Sequence, residues 1–174
     1  GQNDIAIGTP ISNRFNHDLE NIVGLMLNTL VVRLHSVDQS SCGDFLDYVK
    51  QQVIEAFDNK ELPVELIERE LSKTTDQGET QKGLYRVRYV YRNTDMQTEA
   101  PEASLAIEAL ESERHQAKFD LLVTVNKGDD SLSGEFEYRR SSMDHSDASQ
   151  LCNLYANTMQ YMCFTKANTT MNHE

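Results

Sequence analysis

The sequence predicts an α/β fold in two layers, a mixed sheet with helices on one face. Two kinds of segment carry this reading. Residues 25–35 and 84–92, and the pair 118–125 and 132–139, have the alternation of half-buried strands. Residues 43–58 and 144–164 place apolar side chains at helical spacing. The 174 residues, 39% of them hydrophobic, suffice for one ordinary domain with a core of its own.

Asp4 to Gly8 reads as a short strand that ends at a Gly8-Thr9-Pro10 turn. Ile11 to Asn21 is polar and mixed, a loop with one helical turn. Leu25 to His35 is a long strand that carries one amide, Asn28, on the same face as Met26, Leu30, Val32 and Leu34. A buried amide without partners costs about 1–3 kcal/mol, so Asn28 is either a tie to neighbouring backbone or a group aimed at a ligand. Turn residues in SVDQSSCGD interrupt the pattern. A helix over 43–58 follows, with Phe45, Val49, Val53, Ala56 and Phe57 as its buried stripe and Ser41 with Asp44 as a variant capping box. Pro63 suits the first turn of a second helix, where no N–H partner is needed. Leu66, Ile67, Glu70 and Leu71 follow it.

Leu84 to Arg92 places Tyr85, Val87, Tyr89 and Tyr91 on one face and Arg86, Arg88 and Arg92 on the other. Arginine beside tyrosine can mark nucleic-acid binding, but a half-buried strand with a solvated arginine face fits an acidic chain better. Residues 93–116 are the least orderly, with one candidate helical turn at Leu105 to Leu110. Lys118 to Val125 and Leu132 to Arg139 form a predicted hairpin, with Gly128 available for positive φ in the turn. The last helix spans Asp144 to Phe164, with Leu151, Leu154, Tyr155, Thr158 and Met162 facing inward and a frayed tail beyond.

The formal net charge is -12. Such acidity argues against nonspecific binding to nucleic acid or to anionic membranes. No apolar run reaches membrane-spanning length and no signal peptide is visible. Cys42, Cys152 and Cys163 have no metal-ligand spacing. Their sparse, odd number suits a reducing, cytoplasmic setting. His17, His35, His115, His145 and His173 lack partners at ligand spacing, so no metal site is expected. His145-Ser146-Asp147 holds three triad residue types, but a triad is a spatial arrangement, and these residues read as a helix cap. Glu65 and Glu68 share a helical face as solvated acids, and no Walker or dinucleotide glycine motif occurs.

GTPISNR (Gly8 to Arg14) followed by VGLMLNTLVVR (Val23 to Arg33) resembles the fifth core motif of nonribosomal peptide synthetase condensation domains. That motif reads Gly-x-Phe-x-Asn-Thr-Leu-x-x-Arg after Gly-Thr-Pro-x-x-x-Arg. Gly24, Asn28, Thr29, Leu30 and Arg33 fall in register, behind Gly8, Pro10 and Arg14. NKELPVELIEREL resembles the sixth motif, centred on Pro-Phe-Glu, through Pro63 and Glu65, with Val64 in place of Phe. Phe119-Asp120-Leu121 and GEFEYRR (Gly134 to Arg140) resemble two later strands of the family. The seventh motif leaves only a loose echo in KTTDQGETQKGL. The family's catalytic signature, His-His-x-x-x-Asp-Gly, is absent, so no catalytic residue is assigned in this chain.

The resemblance implies the distal part of the C-terminal lobe of the chloramphenicol acetyltransferase-like fold, without its N-terminal lobe. It implies amide-bond formation between aminoacyl or peptidyl groups carried on the phosphopantetheine arms of carrier proteins. An adenylation domain would adjoin it, and no cofactor is bound directly. Asn28 is the candidate for a polar group facing the substrate tunnel, while Arg14 and Arg33 hold loop and strand in place. Lost lobe contacts would favour self-association. A noncatalytic scaffold lobe that recruits a carrier, or an ester-forming acyltransferase of the same fold, is the alternative.

Overall fold

The computed structural model describes residues 3–14, 16–35, 41–74, 83–93, 116–128 and 130–164. Five strands, β1 (Asp4–Ser12), β2 (Leu27–His35), β3 (Val87–Arg92), β4 (Leu121–Lys127) and β5 (Leu132–Tyr138), form one sheet in the order β2-β1-β3-β4-β5. The outer pairs β1–β2 and β4–β5 are antiparallel, and the inner pairs β1–β3 and β3–β4 are parallel. The sheet is therefore mixed, as expected. Four helices accompany it: α1 (His17–Glu20), α2 (Cys42–Asp58), α3 (Val64–Thr74) and α4 (His145–Phe164).

Register shows that the main helices share one face. Leu30, Val32 and Asn28 lie opposite Thr9, Ile7 and Ile11. Ile7 pairs with Val87, Val87 with Leu121, and Leu121 with Tyr138, so all these side chains point the same way. On that face Leu121, Val123 and Val125 form the core, packed by Val87, Tyr89, Phe136, Tyr138 and two residues of α4, Leu151 and Tyr155. At the other end of the same face, α2 and α3 lie on β2.

Several local expectations change. The Gly8-Thr9-Pro10 segment is no turn, because β1 runs straight through it to Ser12. Proline is tolerated there because Pro10 lies two residues beyond the last β1–β3 partner, Gly8. Asn13 donates to the Met26 carbonyl at 2.9 Å. By alternation the Pro10 nitrogen points away from β2, where no ladder bond is missed. Tyr85 precedes β3 and does not join the face of Val87. Its ring covers Gly8 on the opposite side of the sheet and stacks on Phe119 at 6.0 Å. Strand β4 starts at Leu121, three residues later than the alternation suggested.

Gly128 has no positive φ, and its N–H donates to the Ser131 carbonyl at 2.8 Å. Ser41 caps α2 as expected, accepting from the Asp44 N–H at 3.1 Å. Phe45, Val49 and Ala56 of the predicted α2 stripe turn inward as expected, but Val53 and Phe57 are exposed, and Cys42 and Gln52 take the remaining inward positions. On α4, Leu154 is 63% exposed and Ala148 is buried. Its inner stripe is Ala148, Leu151, Tyr155, Thr158 and Met162. The cap of α4 is Asp144, which accepts from the Asp147 N–H at 2.8 Å, while His145 Nδ1 meets the Tyr138 hydroxyl at 3.0 Å. The candidate turn at 105–110 and the tail after Phe164 lie outside the described residues.

A Cβ added at Gly8 would enter the van der Waals envelope of the Tyr85 ring. Gly8→Val is expected to cost about 1–3 kcal/mol by overpacking. Adding Tyr85→Ala should return part of that loss. Denaturant midpoints for the two single variants and the double variant measure the coupling.

Candidate functional site

Asn28 is buried at the start of β2. Its Nδ2 donates to the Lys60 carbonyl at 2.7 Å and the Leu62 carbonyl at 3.1 Å, in the connection between α2 and α3. Its Oδ1 accepts from the Thr29 N–H at 2.8 Å. Both amide protons are therefore engaged with backbone, and only Oδ1 keeps a free lone pair. The amide ties the strand to the turn that leads into Pro63. Pro63 directly precedes α3, and its carbonyl accepts from the Leu66 N–H at 3.0 Å. Glu65, in the first turn of α3, is exposed, where a carboxylate suits the positive end of the helix dipole.

Arg14 follows β1 and clasps the loop into β2. Its guanidinium donates to the carbonyls of Leu19, of Ile22 at 2.7 Å, and of Gly24 at 3.1 Å. Gly24 itself has open space around it. The clasp holds up a loop whose apolar side chains face solvent: Val23 is 100% exposed, Leu25 89% and Leu27 57%. Such a run is unusual on a free surface. Arg33 lies on the sheet face opposite Asn28. It forms a fork with Asp4, with Nη2 to Oδ2 at 2.6 Å and Nε to Oδ1 at 2.9 Å. The hydrogen bond from Arg33 holds the Asp4 carboxyl below its usual range.

A second polar centre lies at the other end of the sheet, where Phe119-Asp120-Leu121 and the end of GEFEYRR meet. Asp120 receives Arg86 Nε, the Ser142 hydroxyl at 2.9 Å and Arg139 Nη1 at 3.1 Å. Arg139 also donates from Nη2 to the Lys118 carbonyl at 2.9 Å. The Arg86 and Ser142 hydrogen bonds hold the Asp120 carboxyl below the ordinary range. Within the core, Tyr89 and Tyr155 hydroxyls meet at 3.2 Å, and burial first, then this bond, pushes the Tyr89 phenol upward. Among the described residues no group of His, Cys, Asp and Glu could hold a metal ion. No helix among them is long and apolar enough to cross a membrane.

The condensation-domain family profile matches residues 1–169. This chain belongs to the condensation-domain family. Bacitracin synthase 1 of Bacillus licheniformis is 32% identical over 138 residues, 79% of this chain and 3% of that protein. Phosphinothricin tripeptide synthetase PhsC of Streptomyces viridochromogenes is 32% identical over 142 residues, 79% of this chain and 12% of that protein. The chain thus spans a small fraction of its curated relatives. Among solved structures, the condensation domain of the Monacolin K polyketide synthase MokA superposes with a TM-score of 0.75 at 17% identity, covering 98% of this chain and 39% of that one. The X-domain from teicoplanin biosynthesis gives 0.76 at 21% identity, covering 97% and 38%. These likenesses show the chloramphenicol acetyltransferase-like fold. Condensation domains of peptide synthetases form amide bonds between amino-acid units.

Asn28→Ala removes three hydrogen bonds and is expected to lower stability by about 1–3 kcal/mol, read as a shift in urea midpoint. Asp120 has a depressed folded-state pKa, so its contribution is fully present above the unfolded carboxyl value of about 3.9 and fades as pH falls through the lower folded value. Asp120→Asn should flatten the stability profile below about pH 4 relative to the parent chain. Urea midpoints at pH 2.5, 3.5, 5 and 7 test this, and parallel profiles would contradict it.

Proposed function

We propose that this chain is the distal part of the C-terminal lobe of a condensation domain. In a nonribosomal peptide synthetase it would form one wall of a two-lobed site. There the amine of one carrier-borne aminoacyl group attacks the thioester of another, and an amide bond replaces the thioester. The observation that carries the reading is a family match over residues 1–169 in a sequence without His-His-x-x-x-Asp-Gly. The acid–base chemistry then belongs to the N-terminal lobe, and this chain supplies architecture and positioning. Its partners are that lobe, phosphopantetheine-bearing carriers and an adjoining adenylation domain, in the cytoplasm. The apolar loop around Val23 and Leu25 offers a surface for the other lobe to cover.

Asn28 is the residue of this lobe assigned to substrate. With both protons engaged, it can act only as an acceptor: Oδ1 can take an N–H of the attacking amine and help fix its lone pair toward the thioester. Loss of that bond would cost about 1–3 kcal/mol of transition-state stabilisation, about ten- to a hundredfold in rate. Asn28→Ala in an intact synthetase should therefore lower turnover per folded molecule. Unaltered turnover with lowered stability would leave the residue a tie between β2 and the α2–α3 connection.

The 174-residue chain alone should give no dipeptide from loaded donor and acceptor carriers, since a preorganised site loses most of its rate when its polar groups are missing. Product above the no-protein control, abolished by a substitution in this chain, would overturn the assignment. The chain should also self-associate with rising concentration in light scattering. A monomer throughout, with no binding of an apolar-surface dye, would contradict the open interface.

A further inference from the structure

The sheet end around Asp120 opens into a cleft of about 630 Å³. Its donors come from three places in the chain: Tyr85 and Arg86 before β3, Lys118 before β4, and Arg139 and Ser141 after β5. Asp120 carries one negative charge and meets two arginines, so its ion pairs leave one positive charge unbalanced. Arg86 reaches Asp120 through Nε, and its terminal nitrogens make no hydrogen bond among the described residues. The Lys118 ammonium and the Ser141 hydroxyl also lack partners among the described residues. The other acid in the wall, Glu68, accepts from the Leu84 N–H at 3.2 Å. A neighbouring cleft shares Arg139 and Ser141 and adds Arg140 beside Glu137. In a chain of formal charge -12, this is a local concentration of cationic donors.

We propose that this cleft binds a phosphoryl group. Donors arriving from three directions fit a tetrahedral oxyanion better than a planar carboxylate. A guanidinium fork, an ammonium and a hydroxyl are suited to phosphate oxygens. Asp120 fixes Arg86 and Arg139, so these two donors are held before the ligand arrives and lose little side-chain freedom on binding. Tyr85 and Phe119, stacked on one another, line the same cleft and give it apolar surface for whatever bears the phosphate. Phosphoryl recognition by these side chains is independent of the reaction assigned to the chain.

The test is calorimetric titration of the 174-residue chain with inorganic phosphate, phosphopantetheine and pantetheine at low salt. Saturable binding of the two phosphate-bearing probes is expected, weakening with added salt, while pantetheine fails to bind. Lys118→Glu should weaken binding about tenfold or more, since it reverses a charge beside the anion. Lys50→Glu, an exposed change on α2, should not. Ser141→Ala gives an independent readout without a charge change and should weaken binding severalfold. Tighter binding of phosphopantetheine than of phosphate identifies a carrier arm as the source, and equal binding identifies a free phosphoryl compound. No saturable binding, equal binding of pantetheine, equal loss in Lys50→Glu, or association only at molar phosphate would overturn the proposal.

Discussion

The carboxylate of Asp120 holds one end of this sheet together. Three stretches distant in sequence meet there: the approach to β3 through Arg86, the start of β4 through Asp120 itself, and the end of β5 with the turn after it through Arg139 and Ser142. Backbone bonds follow the same route, with the Leu121 N–H donating to the Arg86 carbonyl and the Arg139 N–H to the Asp120 carbonyl at 3.0 Å. A parallel β3–β4 pair needs a long crossover, and a pair joined at such distance gains from a pin at its starting edge. Arginine suits that pin because its planar fork reaches a carboxylate and a carbonyl at once, as Arg139 does.

The sheet's other end is fixed differently, by a neutral amide. Asn28 joins β2 to the α2–α3 connection, and the register of β1 against β2 fixes which face it points to. A shift of one residue in that pairing would move Asn28, Leu30 and Val32 to the far face together, leaving two carbonyls of the connection without the amide. One group thus specifies both a strand register and the placement of two helices. These bonds engage both amide protons of Asn28 and leave its Oδ1 as the one atom with acceptor capacity to spare.

The period of the pattern carried most of what was legible in the sequence. Alternation in β2 placed Asn28, Leu30 and Val32 on one buried face, and the structure has them there. Ser41 before an apolar repeat marked the start of α2. The motif-based resemblance in Gly24 to Arg33 led to the right family. Where the reading missed, a non-local contact decided. Pro10 looked like a turn residue, but a strand tolerates proline on a side with no ladder bond to lose. Tyr85 fitted the alternation of β3, but its ring found Gly8, the one position in β1 with no side chain to oppose it. The Asp120 centre joins Asp120 to residues between 19 (Arg139) and 34 (Arg86) positions away, and no local period can signal that.

Exposed apolar residues give the molecule a direction. Val53 and Phe57 fit the helical period of α2 and yet face solvent, and so do Val23 and Leu25 beyond the Arg14 clasp. Leu154 does the same on α4. A helical stripe wider than the face a sheet can cover is a stripe shared between two neighbours. On α2 the inward half, Phe45, Val49 and Ala56, packs toward β2, and the outward half is left for something else. Arg14 makes three hydrogen bonds to keep a loop with two almost fully exposed apolar side chains in one shape. That ordering gains little from Val23 and Leu25 themselves, which stay exposed. It gains more if the loop meets a second body, because a surface already ordered loses less entropy on contact.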